Sequence, residues 1–304
     1  MNVVTLTLSP AFDIHCEATK IRVNCENIAS IKGTDAGGKG VNISRALRAF
    51  GIDSLAVVVL GNENSGEFLS ALSRDGILYS EIKVEGRIRE NITLHTADGK
   101  ETRLSFEGDT APADLMDRVR EITEKICDEN TVLTLTGRVP QGVFMEEVKS
   151  YVKALIRRGV KVVIDSRSFS LLDIIELRPF LIKPNEEEIA EYIKKPVSSI
   201  DDALSAARLI FDKGVENVMI SLGSKGAVMV SDDGEFSVSA PKINVLSTIG
   251  AGDSSIAGFL TGVAEGKGSL DRLKYAVAFG SAACLMEGTK PPKKADIARI
   301  LKQL

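Results

Sequence analysis

Residues 132–165, VLTLTGRVPQGVFMEEVKSYVKALIRRGVKVVID, contain the pattern that decides the fold. Two apolar runs of strand length, Val132–Thr136 and Val160–Asp165, enclose an amphipathic stretch at Met145–Arg158. Near-continuous Val, Ile and Leu are typical of strands that are covered on both faces of a parallel sheet. A strand, a helix and a second strand in this order predict one unit of a doubly wound α/β fold.

The same alternation continues on both sides of this unit. Further strands rich in Val, Ile and Leu are predicted at Val3–Leu8, Leu55–Leu60, Phe180–Lys183 and Val218–Leu222. Further helices are predicted from apolar residues at helical spacing at Ala113–Asp128, Asp201–Lys213 and Leu270–Met286. No repeat or linker divides the chain. We therefore expect a single domain over residues 1–304, with a mostly parallel central sheet flanked by helices.

Two segments interrupt this alternation. Residues ~11–35 and ~86–108 contain short alternating runs, the second around the turn Asp98-Gly99. These patterns predict antiparallel strands rather than crossover units. We expect them to form a small β-sheet that projects from the main domain as a lid.

Composition and charge restrict the class of protein. Of the 304 residues, 44% are apolar and 26% charged, which is typical of a soluble globular protein. No apolar run is long enough to predict a membrane span, and Met1–Leu6 resembles a first strand more than a signal peptide. Four scattered cysteines and two histidines fit no common zinc spacing and favour a reduced, cytoplasmic chain. The net charge of −4 gives no indication of a nucleic-acid partner.

A glycine-rich segment near the C-terminus, residues 247–255, carries the clearest chemical signal. Gly250, Ala251 and Gly252 lead into a helix, so backbone N–H groups and the helix dipole can bind an anion there. Such a site suits the charge of a phosphoryl group in transfer. Asp253 follows directly and can accept the proton of an attacking hydroxyl. Taken alone, Gly-Ala-Gly-Asp is better explained as a capped helix start. It fits neither the dinucleotide fingerprint nor a Walker loop.

A second polar constellation lies near the N-terminus. Glycines let the chain approach a polyhydroxy ligand closely, while a lysine and an asparagine present a cation and an amide. The residues are Asp13 after the first strand and Gly37, Gly38, Lys39 and Asn42 before a helix at Ile43–Phe50. Each of them alone is more simply a turn, a helix start or a strand end.

In combination, the two constellations resemble the PfkB/ribokinase family of carbohydrate kinases over essentially the whole chain. Ser9-Pro10-Ala11-Phe12-Asp13 is similar to the start of its phosphosugar branch, the 1-phosphofructokinases and tagatose-6-phosphate kinases, with Ser9 in place of the usual Asn. The resemblance implies a ribokinase-like fold with a lid over the sugar, and Mg·ATP-dependent phosphorylation. It implies Asp253 as general base, with an anion hole made by the backbone of Ala251, Gly252 and Asp253. It also implies a sugar site lined by Asp13, Gly37, Gly38, Lys39 and Asn42.

Further segments resemble the family's nucleotide site. Lys183 and Asn185 would face the ATP phosphates, and Glu188 would organise Mg²⁺ and its waters. Ser221, Gly223 and Gly226 resemble the strand and turn that hold ATP. A strand end, an acidic helix and a β-turn would explain the same residues without a nucleotide.

Three residues bear on the substrate. Arg89 and Asn91 resemble the Arg-x-Asn of the phosphosugar branch, in which the Arg contacts the substrate phosphate. Arg138 replaces a small serine of the family. We hypothesise that Arg138 adds a phosphate contact, although it could equally point outward or reshape the pocket for another sugar.

The resemblance implies a substrate order. Fructose 1-phosphate, converted to fructose 1,6-bisphosphate, comes first, followed by tagatose 6-phosphate and then fructose 6-phosphate; a sugar without phosphate is disfavoured by Arg89. A non-catalytic sugar- or nucleotide-binding regulator is the alternative from another class, but such a protein would be expected to lose Asp253 or its glycines. Exposed lid edges also make a homodimer through the lid an expectation.

Overall fold

The computed structural model describes residues 1–304, which form thirteen β-strands and ten α-helices. The strands are β1 (Asn2–Thr7), β2 (Ala11–Ala18), β3 (Ser30–Gly37), β4 (Leu55–Gly61), β5 (Leu78–Val84), β6 (Arg89–Thr96), β7 (Glu101–Ser105), β8 (Thr131–Thr136), β9 (Lys161–Asp165), β10 (Leu181–Ile182), β11 (Asn217–Ser221), β12 (Ala227–Ser231) and β13 (Gly234–Val238). The helices are α1 (Lys39–Phe50), α2 (Ser65–Arg74), α3 (Leu115–Ile126), α4 (Met145–Arg157), α5 (Leu171–Leu177), α6 (Glu186–Ile193), α7 (Ile200–Phe211), α8 (Ala251–Ala264), α9 (Ser269–Ala283) and α10 (Lys294–Leu301). None of these helices is both long and apolar enough to cross a bilayer.

The central sheet has nine strands in the order β13-β12-β11-β10-β9-β8-β1-β4-β5. All neighbours from β11 to β5 are parallel, whereas β12 and β13 pair antiparallel at one edge. The unit predicted from residues 132–165 forms β8, α4 and β9, and the two strands β8 and β9 pair directly in the sheet. The predicted mostly parallel sheet is therefore confirmed.

Helices cover both faces of this sheet. Leu133 and Val162 point to one face, where they pack with apolar residues of α3, α4, α5, α6 and α7. Val132 and Val163 point to the other face, where α1, α8, α9 and α10 supply the packing side chains. Burial on both faces explains why these strands are apolar along their whole length. The doubly wound arrangement is confirmed.

The small sheet has the order β3-β2-β6-β7, and it is built from the two segments predicted as the lid. The prediction that its strands are antiparallel is wrong for the central pair, because β2 and β6 run parallel over Ala11–Ala18. Both strands follow parallel strands of the main sheet, β1 and β5, and leave it at the same edge. They therefore start side by side and extend in the same direction.

Several element bounds differ from those predicted. The first helix begins at Lys39, not at Ile43, so the glycine-rich loop runs directly into it. The strand predicted at Phe180–Lys183 is reduced to the two residues of β10. The edge strands β5 and β13 are half exposed and have no continuous apolar run, so the sequence pattern did not reveal them.

The carboxyl edge of the central sheet brings polar residues from several strands together. In a parallel sheet these strand ends lie side by side, and ligands bind there. Asp165 ends β9, Lys183 follows β10, and Ser221 ends β11. The fold therefore gathers residues that are up to 56 positions apart in sequence.

Candidate active site

Two glycine-rich helix starts meet at this edge. Gly38, with φ 127°, precedes α1, and Gly250, with a left-handed φ of 76°, precedes α8. Neither helix has a side-chain cap, so the N–H groups of its first turn are not bound by a capping residue. The helices pack together, and Asn42 Nδ2 in α1 donates a 2.8 Å hydrogen bond to Asp253 Oδ2 in α8.

Asp253 is 6% exposed, in the first turn of α8. Burial raises the pKa of its carboxyl to about 6, although the charge of Lys39 and the hydrogen bond from Asn42 oppose this increase. A carboxylate with a raised pKa accepts a proton more readily than an ordinary aspartate. Asp253 therefore has the properties of a general base at neutral pH.

Two lysines and a second buried carboxylate surround this aspartate. Lys39 Nζ lies 2.8 Å from Asp165 Oδ2, and Lys183 Nζ lies 3.8 Å from Asp165 Oδ1. The Lys183 ammonium also lies beside the start of α8, because a Cβ added at Gly252 would be 3.1 Å from Lys183 Nζ. Two ammonium groups and two carboxylates thus lie together next to the N-terminus of α8.

Burial and neighbouring charges act in opposite directions on the pKa values of Lys39 and Asp165. Burial alone would lower the pKa of Lys39, but the carboxylates of Asp165 and Asp253 outweigh it and raise that pKa. Burial likewise opposes ionisation of Asp165, but Lys183 and Lys39 overcome it and lower the pKa of Asp165. Lys39 and Asp165 therefore both remain charged at neutral pH.

The lid contributes a second group of polar residues to the site. Asp13 is buried, and its Oδ1 accepts hydrogen bonds from Asn91 Nδ2 at 2.9 Å and from Arg103 at 3.0 Å. Gly37 packs against the same carboxylate so closely that a Cβ there would collide with it. The sequence-predicted residues Asp13, Gly37 and Asn91 are thus in direct contact, and they are joined by Arg103, which was not predicted.

Arginines gather next to these residues. Arg89 Nε donates to Ser9 Oγ at 3.1 Å, and its Nη1 donates to Asn91 Oδ1 at 2.9 Å. Burial and then the nearby charge of Arg138 lower the pKa of the Arg89 guanidinium. Arg138 itself is exposed and has no ion-pair partner. We call Arg89, Arg103 and Arg138 the arginine cluster; its one carboxylate partner is Asp13, so it carries an excess of positive charge.

A cleft of about 1120 Å³ lies beside the start of α8, where Ala251, Gly252 and Ser255 line it. All five residues predicted for the nucleotide line it: Lys183, Asn185, Ser221, Gly223 and Gly226. Its walls also include apolar side chains from two separate segments, among them Ile243 and Val277. A mostly apolar cleft with a few convergent polar groups is typical of a site for a small-molecule ligand or cofactor.

Glu188 lies apart from this cleft, in a smaller cavity that also contains Asp165 and Lys183. Its Oε1 accepts from Arg167 Nε at 2.8 Å, and its Oε2 accepts from the Asn185 N–H at 3.0 Å in the capping box of α6. No group of three or more His, Cys, Asp or Glu residues lies close enough to hold a metal by itself. A metal here would depend on oxygen ligands from elsewhere.

Sequence reasoning missed two residues of this site, Asp165 and Arg103. Asp165 could have been found as a charged residue that ends a buried parallel strand, as Lys183 follows another. Arg103 lies opposite Thr93 in the β6–β7 pair. No pattern in the sequence indicated which face of this pair would be turned toward the site.

Comparison with known proteins identifies the family of this chain. A nine-stranded, doubly wound sheet with a lid and a buried aspartate at an uncapped helix start fits a small-molecule kinase that uses an alcohol group as acceptor. The family model described as "pfkB family carbohydrate kinase" matches residues 17–296. The chain therefore belongs to the pfkB family of carbohydrate kinases, and the predicted family, fold and enzyme class are confirmed.

Individual relatives show which members of the family the chain resembles. The chain is 30% identical over 305 residues to 1-phosphofructokinase of Escherichia coli K12, covering 98% of this chain and 97% of that one. It is 32% identical over 284 residues to 1-phosphofructokinase of Borreliella burgdorferi, covering 93% and 92%. Among solved structures, phosphofructokinase-2 from Escherichia coli in complex with substrates and products superposes with a TM-score of 0.95 at 26% identity, covering 100% of this chain and 99% of that one. Membership in this kinase family implies ATP as the co-substrate.

Proposed function

We propose that the chain transfers the γ-phosphoryl group of Mg·ATP to a hydroxyl of a sugar phosphate, and that fructose 1-phosphate is the preferred acceptor. The observation that carries this proposal is the path of residues 37–42, which run from the end of β3 into the first turn of α1. Gly37 packs against Asp13 beside the arginine cluster, and Asn42 donates to Asp253. One short segment thus joins the arginine cluster to the proposed general base.

The arginine cluster supports a phosphorylated acceptor. Guanidinium groups bind phosphate through two parallel hydrogen bonds. The cluster has three guanidinium charges, and the single carboxylate of Asp13 can neutralise only one of them. A neutral sugar would leave this positive charge uncompensated. The 1-phosphofructokinase relatives, at 29% to 32% identity, support fructose 1-phosphate as the first choice.

Fructose 6-phosphate is a second candidate because of one specific observation. A structure of phosphofructokinase-2 from Escherichia coli in complex with fructose-6-phosphate superposes on the chain with a TM-score of 0.92 at 25% identity. Tagatose 6-phosphate remains a third, since it differs from fructose 6-phosphate in the configuration of a single hydroxyl.

In the proposed reaction, Asp253 accepts the proton of the attacking hydroxyl. Asn42 holds Oδ2 of that carboxylate at 2.8 Å and leaves Oδ1 available for the acceptor. Lys39 and Lys183 balance the charges of Asp165 and Asp253 before the reaction. Once Asp253 is protonated, the cluster gains one net positive charge as negative charge spreads over the transferring group.

The N-terminus of α8 would bind the transferring phosphoryl group. Gly250 turns the chain at φ 76°, and the backbone N–H groups of Ala251, Gly252 and Asp253 follow without a side-chain cap. Lys183 beside Gly252 adds a cation to this anion hole. The lid would exclude water, which competes with the sugar as phosphoryl acceptor.

The donor set near Glu188 fits Mg²⁺. This ion binds oxygen ligands, keeps several waters and needs only one or two protein carboxylates beside nucleotide phosphates. Because both Glu188 oxygens already accept hydrogen bonds, Glu188 would hold the metal through water. When bound, the metal would neutralise charge on the ATP phosphates.

We also propose that the chain forms a homodimer through the lid. Six large apolar side chains are exposed on the lid strands or the segments that adjoin them: Ile21, Val23, Ile28, Ile31, Leu104 and Phe106. Exposed apolar side chains that form a patch mark interaction sites. Light scattering after size exclusion tests this, and a monomer at assay concentration would contradict it.

A coupled ADP-release assay with Mg·ATP tests the function directly. The acceptors are fructose 1-phosphate, fructose 6-phosphate, tagatose 6-phosphate and ribose, and we expect the highest kcat/KM with fructose 1-phosphate. Turnover with ribose alone would contradict the role of the arginine cluster. The absence of turnover with all four, combined with measurable ATP binding, would favour a non-catalytic regulator instead.

A further inference from the structure

Asp165 is a buried carboxylate that no sequence motif identified. It ends β9 with its side chain 4% exposed, and each of its oxygens faces a different lysine. Lys39 Nζ lies 2.8 Å from Oδ2, and Lys183 Nζ lies 3.8 Å from Oδ1. A single buried negative charge is thus shared between two cations.

The two lysines belong to different halves of the site. Lys39 begins α1 directly after the glycine loop that packs against Asp13, and its side chain is 39% exposed. Lys183 follows β10, lines the large cleft beside Gly252, and has a side chain that is only 6% exposed. Asp165 therefore lies between the sugar side and the nucleotide side.

Because Lys39 and Lys183 share the charge of Asp165, a change at one lysine alters the interaction of Asp165 with the other. Buried ions interact strongly because little water screens them, and an unpaired buried charge is destabilising. When an anion on one side attracts its lysine, Asp165 can interact more fully with the other lysine. Neighbouring groups within one ion-pair network commonly show non-additive effects of this kind.

We propose that Asp165 is a positioning residue that couples Lys39 on the sugar side to Lys183 on the nucleotide side. This inference rests on the proposed function for its assignment of the two sides. In this proposal Asp165 acts through the two lysines that it pairs with. It sets how much of the positive charge of each lysine is available to its own ligand.

A double-mutant cycle with Mg·ADP as the probe tests this coupling, because Mg·ADP binding requires no knowledge of the sugar. Its dissociation constant is measured by calorimetry for the unaltered chain, Lys39→Met, Asp165→Asn and the double variant. Without Lys39, the whole charge of Asp165 acts on Lys183. We therefore expect Lys39→Met to weaken Mg·ADP binding by about fivefold or more while Asp165 is present, and by less than about twofold with Asp165→Asn.

The matched control replaces a carboxylate that also pairs with a lysine but lies outside the site. Asp173 Oδ1 is 3.2 Å from Lys149 Nζ, and Asp173→Asn should leave the effect of Lys39→Met unchanged. Equal effects of Lys39→Met with and without Asp165 would overturn the proposal. If Asp165→Asn does not fold, as judged by circular dichroism, Asp165→Glu displaces the carboxylate by one methylene, and the same cycle applies.

A second measurement follows turnover. Asp165→Asn should lower kcat per folded molecule by a larger factor than it raises the KM of either substrate, and Asp165→Glu should restore part of kcat. A role in folding alone would lower the amount of active enzyme but leave kcat per folded molecule unchanged. Failure of the proposed function is recognised separately. It would appear as no ADP release with any sugar phosphate, while the Mg·ADP cycle still confirms or refutes the coupling.

Discussion

The two glycine-rich helix starts use similar local structure for different purposes. In both, a glycine with positive φ precedes a helix without a side-chain cap, Gly38 for α1 and Gly250 for α8. By contrast, α5, α6 and α7 have their first turns closed by Ser170, Asn185 and Ser199. A capped helix start is occupied by its own chain, whereas an uncapped one can bind a ligand.

The difference between the two lies in what each presents. The start of α1 is packed tightly, because a Cβ at Gly37 would collide with Asp13 and one at Gly40 with Thr7. It presents side chains, Lys39 and Asn42. The start of α8 is open above Gly250, where an added Cβ would meet only Thr289 at 3.9 Å. It presents backbone N–H groups and one carboxylate. We infer that the first recognises the sugar and the second the moving phosphoryl group.

Replacing the carboxylate at the start of α8 should have the largest effect. We expect Asp253→Asn to lower kcat by roughly 10²–10⁴-fold, because a general base contributes about that much. The amide keeps the shape and can still meet Asn42, so KM values should change little. The measurement is steady-state ADP release with fructose 1-phosphate.

Asp117→Asn is the matched control, because Asp117 is an exposed aspartate in the first turn of α3. It should leave kcat unchanged. A kcat near that of the unaltered chain for Asp253→Asn would remove Asp253 from the role of base and leave the two helix starts without a functional difference.

A pair of glycine variants tests the division directly. Gly252→Ala places a Cβ 3.1 Å from Lys183 Nζ, so it should lower kcat and raise the KM for ATP, each by about tenfold. Gly37→Ala forces the Asp13 carboxylate to move, so it should raise the KM for the sugar phosphate by about tenfold and leave the KM for ATP unchanged.

Gly66→Ala is the control for this pair, since no atom lies within 4 Å of the added Cβ. It should change neither constant. If Gly252→Ala and Gly37→Ala changed kcat and the two KM values in the same way, the two helix starts would act as one unit. That outcome would contradict the division between sugar and phosphoryl recognition proposed above.

The pH dependence of kcat sharpens the contrast further. Burial raises the pKa of Asp253 to about 6, and the base must be unprotonated to act. Activity should therefore be full well above pH 6 and fall by about tenfold per pH unit below it. Saturating both substrates removes the titration of free sugar phosphate from the profile. The residual activity of Asp253→Asn should lack this inflection, and its persistence there would assign the titration to another group.

Most of the fold could be predicted because buried parallel strands have continuous apolar runs. Val160–Asp165 and Val132–Thr136 are examples, and both form central strands. The edge strands β5 and β13 escaped because each has only one buried residue, Ile82 in β5 and Val238 in β13. The parallel pairing of β2 with β6 was missed because strand direction depends on where the chain leaves the main sheet, which no local pattern records.

Site residues were predictable where they lie in short motifs, as at Asp253 and Lys39. Asp165 and Arg103 were not, because their importance arises from contacts between distant segments. Asp165 meets lysines from two other elements, and Arg103 meets Asp13 across the lid. An isolated Asp at a strand end or Arg in a lid has a surface role more often than a functional one.

The smallest expected effect tests how far side-chain recognition extends on the sugar side. Arg138 is exposed in the loop after β8, close enough to lower the pKa of Arg89, and has no ion-pair partner. Because an exposed ion pair contributes little, Arg138→Ser should raise the KM for fructose 1-phosphate by about threefold to fivefold without changing the KM for ATP. Arg74→Ser, at the exposed end of α2, is the control and should change neither. An unchanged KM in Arg138→Ser would mean that Arg138 points away from the phosphate, so that recognition on this side ends at Arg89 and Arg103.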